Sequence, residues 1–269
     1  MKLVYHTIVA GGNEPLAELI PIIAEAGLPA IEAHSGTIRW FEADIEEQLE
    51  AISEALARTG LELHSIHAPC GDDLDWASAD EEVCGLAQGM MGSVIEWSAE
   101  LGARVLALHP GQVGERETDA AYVQRLANNI APLVVTAETE WITLALENQP
   151  QPHEHTEAMA QVVRLAASES LVVCLDTGHA HMIEGLATAL QVGGDLIGHI
   201  HMHDNDGEHD QHVLPGQGSI NWKDFAPFIS PEAGFQGAVV LEARRPQGLS
   251  LGELPAKMRK LAPWLQAPG

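Results

Sequence analysis

Five short apolar runs in the sequence end in a side chain that can bind a metal ion or carry a proton. In a β-strand every second side chain points to the same face. Counted in this way, each run presents small or apolar residues followed by one imidazole or carboxylate, as in the series Leu63, Ser65 and His67. The five terminal residues are His67, His109, Glu147, Asp176 and Glu242. Their side chains are those of metal ligands and of proton-transfer groups.

One such residue alone would be typical of a hydrogen-bonded structural group, because connecting loops supply partners for a polar strand end. Five at equivalent positions predict a metal site, since gathering buried carboxylates and imidazoles is costly unless a cation compensates. A sixth run has three histidines on one face, and the alternation does not select among His199, His201 and His203.

Two further segments enlarge the candidate ligand set. In DTGHAH at 176–181, His179 follows Asp176 by three residues, close enough for both to reach one ion. The alternative is that Asp176 only caps the next helix and that His179 lies on the surface. In DNDGEHDQHVLPGQG at 204–218, Asp210 and His212 are candidate ligands, although acidic loops with histidines are also typical of plain solvated surface.

Apolar runs of β type alternate eight times with longer amphipathic segments, as expected of parallel βαβ units. The runs span residues 3–10, 29–34, 61–69, 104–111, 142–150, 171–179, 196–204 and 237–244, and helices are predicted at 44–59, 79–101, 118–139 and 154–167. Eight repeats predict an α/β fold made of one (β/α)8 TIM barrel over residues 1–269, in which the strand ends meet at the C-terminal mouth. An open doubly wound sheet is the alternative, but GGN at 11–13 does not match its glycine-rich phosphate turn.

Composition limits the classes of partner. Asp and Glu number 39 against 13 Lys and Arg, and the resulting formal net charge of -26 disfavours binding of nucleic acid. The cysteines Cys70, Cys84 and Cys174 lack the spacing of a zinc ribbon or redox motif, so we expect reduced thiols. No run reaches membrane-spanning length and no signal sequence is recognisable, so no membrane association and a cytoplasmic location are expected. Formation of a homo-oligomer stays open.

The strand ends also form a series of motifs that spans essentially the whole chain: SIHAP, LALHPG, LALENQ, CLDTGHAH, HIHMHDND, DQHVLPGQGSINW and VVLEAR. This series resembles the xylose-isomerase-like barrel superfamily, which contains sugar isomerases and epimerases as well as endonuclease IV. By this resemblance, an epimerase-type site holds one ion through Glu147, Asp176, His201 and Glu242, with His179 in contact with the sugar. An endonuclease-type site adds His67, His109, His179, Asp210 and His212 and holds a cluster of zinc ions. All nine residues are present, so both types of site stay open.

The favoured hypothesis from the sequence is a divalent-metal-dependent isomerase or epimerase of a sugar or sugar phosphate. Glu147 and Glu242 would be opposed proton-transfer bases beside a metal-polarised carbonyl, with His179 contacting the sugar. Manganese or zinc is expected, and magnesium, iron or cobalt also fit the mixed oxygen and nitrogen donors. The first alternative is an endonuclease-IV-like multinuclear zinc phosphoester hydrolase, although the acidic loop PCGDDLDW at 69–76 disfavours DNA as its substrate. The second is a non-catalytic metal- or sugar-binding barrel.

Five further residues near the strand ends are candidate substrate contacts. Trp40 and Trp76 could stack on a sugar face, although a tryptophan there is equally typical of packing. Glu32 and His34 are candidates to bind hydroxyl groups, and Arg244 could meet a phosphate or carboxylate unless it pairs with nearby acids. The other histidines are expected to be structural or solvent-exposed: His6, His64, His153, His155, His181 and His209.

Overall fold

Each of the eight apolar runs overlaps a strand in the computed structural model, which describes residues 2–11, 14–71, 74–114 and 117–263. The strands are β1 Lys2–His6, β2 Ala30–Ala33, β3 Glu62–His67, β4 Val105–Leu108, β5 Thr143–Glu147, β6 Leu171–Asp176, β7 Ile197–Met202 and β8 Ala238–Leu241. They pair in parallel in chain order, and β8 pairs with β1 to close the barrel. The fold is a single (β/α)8 TIM barrel, which confirms the prediction.

Helices connect the strands. They are α1 Leu16–Glu25, α2 Ile45–Thr59, α3 Glu81–Glu100, α4 Asp119–Glu140, α5 Thr156–Ala166, α6 Thr177–Ile183, α7 Leu186–Gly193, α8 Phe225–Phe228 and α9 Leu254–Leu261. Side chains of Asp80, Thr118 and His155 accept N–H groups from the first turns of α3, α4 and α5, which fixes where these helices begin. None of the helices in the described ranges is long and apolar enough to cross a membrane.

The barrel interior is more polar than the layer between strands and helices. The outer face of the strands packs against the helices in one large apolar cluster that includes Leu106 and Val173. Inside the barrel, a small separate apolar cluster consists of Val4, Ala30, Ala238 and Val240. At a similar height the interior also holds the fully buried Glu32, Ser65 and His199. Branched apolar residues are the usual filling of such a barrel, so this polar layer needs a specific reason.

A register shift in β3 changes one predicted face. Leu63 pairs with Ile31, whereas Ser65 pairs with the next residue, Glu32, so His64 is an extra residue in the strand. Leu63 consequently packs with Ile31 in the outer apolar cluster. The prediction that Leu63 shares a face with Ser65 and His67 is therefore wrong, because a β-bulge interrupts the two-residue period.

Candidate metal centre

Four strand-end residues meet at the C-terminal mouth and form what we call the central group. Its members are Glu147, Asp176, His201 and Glu242, and each offers a ligand atom within 4.8 Å of the others. His201 Nδ1 lies 3.5 Å from Glu147 Oε2 and 3.0 Å from Glu242 Oε2. All four residues are buried. The alternation of strand side chains therefore brings β5, β6, β7 and β8 to one point.

The atoms of the central group fit a cation. His201 Nδ1, Glu147 Oε2 and Glu242 Oε2 are buried and have no hydrogen-bond partner among the described residues. Ligand atoms that surround an ion at about 2.0–2.2 Å stand roughly 3.0–3.6 Å from one another, which is the spacing seen here. Because buried polar atoms without partners are costly, an ion is the group that would satisfy all three.

A second set, the β3–β4 group, consists of His67, His109 and Glu147. The Nε2 atoms of His67 and His109 lie 3.3 and 3.4 Å from Glu147 Oε2. Burial acts to lower the pKa of His109, but the charge of Glu147 and a hydrogen bond with Cys70 outweigh it and raise the pKa to about 10. The same hydrogen bond with His109 lowers the pKa of the exposed Cys70 thiol. Glu147 thus belongs to two groups at once.

A third set, the β7-loop group, consists of His179, His203, Asp210 and His212. Asp210 Oδ2 lies 3.5 Å from His179 Nε2 and 3.0 Å from His212 Nε2. The rings of His203 and His212 stack with centroids 3.9 Å apart. The strand alternation left His203 undecided, and its position beside Asp210 adds it to the candidate ligands.

Asp176 has two roles that the sequence presented as alternatives. Its Oδ1 accepts the N–H of His179 at 2.7 Å and caps α6, as a structural residue would. His179 is nevertheless buried rather than on the surface, and its Nδ1 lies 2.9 Å from the carbonyl oxygen of Asn148. That contact requires a hydrogen on Nδ1, so His179 Nε2 is the atom that faces the β7-loop group.

Carboxylates and imidazoles hold opposite charges throughout the site. Burial acts to raise the pKa of Glu147, but the charges of His201 and His109 outweigh it and hold the pKa well below its usual value. The pKa of Glu242 is lowered in the same way, again mainly by His201. Conversely, Asp176 and Asp210 raise the pKa of His179 well above its usual value against the effect of burial. In the metal-free protein, protons on the histidines therefore supply the positive charge that the carboxylates require.

The loop that supplies Asp210 and His212 is anchored by a buried aspartate that sequence reasoning had not singled out. Asp204 accepts four hydrogen bonds, from the backbone N–H groups of Asn205, Gly216 and Ile220 and from Nε1 of Trp222. The indole hydrogen bond of Trp222 thus adds a side-chain contact to this anchor. The signal in the sequence was Asp204 itself, directly after the strand that contains His201.

Three of the five candidate substrate contacts lie where direct contact with a sugar is disfavoured. Trp40 and Trp76 are each only 3% exposed. Trp40 stacks on Trp97, and Trp76 Nε1 donates to the His109 carbonyl at 3.1 Å, so the expectation of sugar stacking is corrected to packing. Glu32 is fully buried among histidines. His34 is half-buried, with Nδ1 accepting the N–H of Gly36, and stays a candidate. Arg244 is exposed and stays a candidate.

One histidine that was expected to be background lies at the mouth. His6 ends β1, is fully buried, and places Nε2 3.9 Å from Glu242 Oε1. Burial lowers its pKa to about 4, although Glu242 and Glu32 act in the opposite direction. Its Nδ1 accepts the N–H of Ile8 at 3.4 Å, so the hydrogen is on Nε2 and points into the site. The alternation of Val4 and His6 along β1 was a signal that could have identified it.

Replacing Gly178 by Ala is expected to destabilise the protein by about 1–3 kcal/mol. A Cβ at this position would lie 1.9 Å from Cε1 of His203, so the histidine would have to move away from the β7-loop group. Gly89→Ala is the matched control, because Gly89 is an exposed helical glycine with nothing within 4 Å of its added Cβ. That change is expected to stabilise by about 0.4–1 kcal/mol. Urea unfolding measures the free energy of unfolding of both variants. Equal values for Gly178→Ala and Gly89→Ala would contradict the packing argument.

The geometry agrees with a comparison to protein families. A family model described as a xylose isomerase-like TIM barrel matches residues 20–267. The chain belongs to the xylose isomerase-like TIM barrel family. An uncharacterized protein of Methanocaldococcus jannaschii is 31% identical over 188 residues, which cover 66% of this chain and 63% of that protein. The chain thus spans less than two thirds of the length of this relative.

Two solved structures share the barrel over nearly the whole chain. A D-tagatose 3-epimerase-like protein has a TM-score of 0.80 and 24% sequence identity, over 98% of this chain and 97% of that chain. A Thermus thermophilus protein, solved with ZnCl2 soaking, has a TM-score of 0.72 and 26% identity, over 98% of each chain. Both likenesses extend over nearly the whole chain and show the same barrel fold.

Proposed function

We propose that this protein is a divalent-metal-dependent isomerase or epimerase that acts on a sugar or sugar phosphate by moving a proton next to a carbonyl. The observation behind the proposal is that two buried carboxylates from different strands face one ring nitrogen of His201. Glu147 lies 3.5 Å and Glu242 3.0 Å from this atom. Two carboxylates at one centre fit a reaction in which one base removes a proton and the other returns it.

Each of these carboxylates has one oxygen at the central group and one directed elsewhere. Glu147 Oε1 faces His179 Nδ1 at 3.4 Å, and Glu242 Oε1 faces His6 Nε2 at 3.9 Å. One oxygen of each is thus available to an ion and the other to a substrate C–H or O–H group. Both carboxylates are ionised at neutral pH, because the positive histidines hold each pKa below its usual value against the effect of burial.

The central group would hold the ion, which when bound supplies Lewis-acid polarisation of the carbonyl and its neighbouring hydroxyl. One carboxylate then takes the proton from the carbon beside the carbonyl. Return of a proton at the former carbonyl carbon, with transfer of the hydroxyl proton from one oxygen to the other, isomerises the sugar. Return at the opposite face of the carbon that lost the proton epimerises it. His179 and His6 present ring nitrogens on either side of this pair and would hydrogen-bond substrate hydroxyls.

Similarity to a D-tagatose 3-epimerase-like protein over 98% of this chain supports a sugar as the substrate class. The Thermus thermophilus structure with ZnCl2 soaking supports zinc as one candidate ion. Manganese is equally compatible with three carboxylates and one imidazole, and magnesium, iron and cobalt are also candidates.

Proton transfer next to a carbonyl is expected to incorporate deuterium from D2O into a keto sugar. The purified protein would be loaded with Mn²⁺ or Zn²⁺ and incubated with a panel of ketoses and ketose phosphates, and exchange followed by NMR. Protein purified without chelator or tag metal would be analysed by mass spectrometry, and we expect about one ion per chain. Chelated protein is the control. Metal-loaded protein that exchanges no proton in any sugar of the panel would remove the proposal.

Phosphoester hydrolysis is the second candidate function, and one observation favours it. The β3–β4 group and the β7-loop group flank the central group, and together they contain enough donors for more than one ion. Several ions, when bound, can activate water and stabilise the leaving oxygen of a phosphoester. With a net charge of -26, the protein would act on small phosphoesters in preference to DNA.

Metal count and substrate choice distinguish the two candidates. Two or three zinc ions per chain, with cleavage of bis(p-nitrophenyl) phosphate and no exchange in sugars, would favour the hydrolase. Incision of DNA that contains an abasic site would favour the hydrolase more strongly. It would also contradict the argument that the negative charge of the protein disfavours DNA as a substrate.

A further inference from the structure

The polar layer beneath the metal centre contains a carboxylate that no step of the proposed reaction uses. Glu32 is fully buried inside the barrel. Its Oε2 lies 2.8 Å from Nε2 of His199, and its Oε1 lies 2.9 Å from Nε2 of His201. It therefore contacts the opposite edge of the same His201 ring whose Nδ1 faces Glu147 and Glu242.

From these contacts we infer that Glu32 is the positioning residue of the central group, holding His201 so that its Nδ1 is the ligand atom. The inference rests on the proposed metal-dependent function. By this inference, Glu32 supports a metal ligand from inside the barrel. The sequence had instead suggested that Glu32 contacts the substrate.

The chemistry of the two side chains dictates the orientation. Glu32 Oε1 and His201 Nε2 lie at ion-pair distance, 2.9 Å apart, without a regular hydrogen bond. An ionised carboxylate has no proton to donate, so this contact is attractive only if the nitrogen has a hydrogen. A neutral imidazole has a single N–H, so Nδ1 then presents its lone pair. Nδ1 faces Glu147 Oε2 and Glu242 Oε2, so a bound cation, or a second proton on the ring in the metal-free protein, is needed to offset the charge of these carboxylates.

His199 holds Glu32 from the other side. Its Nε2 makes the 2.8 Å hydrogen bond to Glu32 Oε2, and its ring lies edge-on to that of His201 with centroids 5.3 Å apart. Both oxygens of Glu32 are thereby directed at histidines of one strand, β7. This arrangement explains why the barrel interior holds polar residues at this height, where branched apolar residues are usual. Carboxylates behind metal-bound histidines fix ring orientation and tautomer in this way.

The test measures metal affinity separately from catalysis. Zn²⁺ affinity would be determined by competition with a chromophoric chelator for the wild type, Glu32→Gln and Glu32→Asp. We expect Glu32→Gln to lower the affinity by about 10–100-fold, and Glu32→Asp, which keeps the charge, to lower it less. The visible spectrum of the Co²⁺-loaded protein should also change in Glu32→Gln, because it reports the geometry around the ion.

Ser65→Ala is the matched control. Ser65 pairs with Glu32 in the sheet, is fully buried, and its Oγ has no hydrogen-bond partner within the described part of the chain. It should leave Zn²⁺ affinity and the Co²⁺ spectrum unchanged. If Glu32→Gln lowers only the melting temperature of the metal-free protein and keeps wild-type affinity and spectrum, Glu32 is structural and the inference is overturned. If the wild type binds no metal, the proposed function fails as well, so the two failures are distinguishable.

Discussion

Replacement of Glu147 by Gln is expected to lower kcat/KM for the sugar substrate by at least about 10³-fold. Glu147 is the residue shared by the central group and the β3–β4 group, and it is 1% exposed. The amide keeps the shape of the side chain but removes the negative charge, the base and one oxygen ligand. Both proton transfer and retention of the ion should therefore be lost together.

Turnover, deuterium exchange and metal content would be measured on the same preparation of the Glu147→Gln protein. Glu154→Gln is the matched control, because it makes the same chemical change on the β5–α5 loop at a residue outside all three groups. Glu154→Gln should keep wild-type values in each measurement. Wild-type turnover in Glu147→Gln would remove the assignment of this residue as a base, whatever its metal content.

The metal-free protein is expected to lose stability as the pH rises from about 6.5 toward 9. A hydrogen bond with Asp210 outweighs the opposing effect of burial and raises the pKa of His212 to about 9. A histidine whose pKa is raised on folding stabilises the fold fully below its unfolded pKa, near 6.5, and loses that contribution as the pH passes its folded pKa. For His212 alone, the loss is on the order of 3 kcal/mol. The pKa of His109, raised to about 10 by Glu147 and Cys70 against the effect of burial, extends the loss to higher pH.

An ion in the central group alone leaves the Asp210–His212 pair in place, so this part of the alkaline loss should persist with one ion per chain. Further ions in the β7-loop group should abolish it, because they then supply the positive charge that protons supply in their absence. Urea unfolding at pH 6 and pH 9.5, with chelator and with saturating Zn²⁺, measures the effect. In the metal-free protein, Asp210→Asn should flatten the pH dependence, since His212 loses its partner. Asp206→Asn, an exposed change on the same loop, should leave it intact. A free energy of unfolding that is constant with pH in the chelated wild type would contradict the charge pairing.

The barrel, and the meeting of most candidate ligands at its mouth, could be predicted because both depend on the two-residue period of a strand. Glu147, Asp176 and Glu242 end strands of a closed parallel barrel, and closure necessarily brings such ends to one mouth. The two-residue period does not predict the face of Leu63, because a bulge places an extra residue in β3. A bulge depends on the neighbouring strand, which a single-strand pattern does not contain.

The remaining differences come from contacts between distant parts of the chain. The role of Glu32 depends on its contacts with His199 and His201, which lie 167 and 169 positions later in the chain. The alternation of side chains along a strand gives no reason to pair such distant residues. Trp40 and Trp76 follow strands as predicted, but their burial is decided by Trp97 and by the His109 backbone. His6 differs from these cases, because it ends β1 two residues after Val4 and so follows the same strand alternation as the other ligands.

The anchoring of the β7 loop by Asp204 makes part of the site modular. Glu147, Asp176, His201 and Glu242 belong to the barrel wall, whereas Asp210 and His212 come from one loop segment. Asp204 anchors this segment, and His212 joins it to the residues after β8 through the Glu242 carbonyl and the Arg244 N–H. An insertion or exchange between residues 206 and 215 would change the number of donors at the mouth without altering the register of any strand. A barrel built in this way can gain or lose an ion-binding position through its loop alone, so one framework is open to both one-ion and several-ion chemistry over evolutionary time.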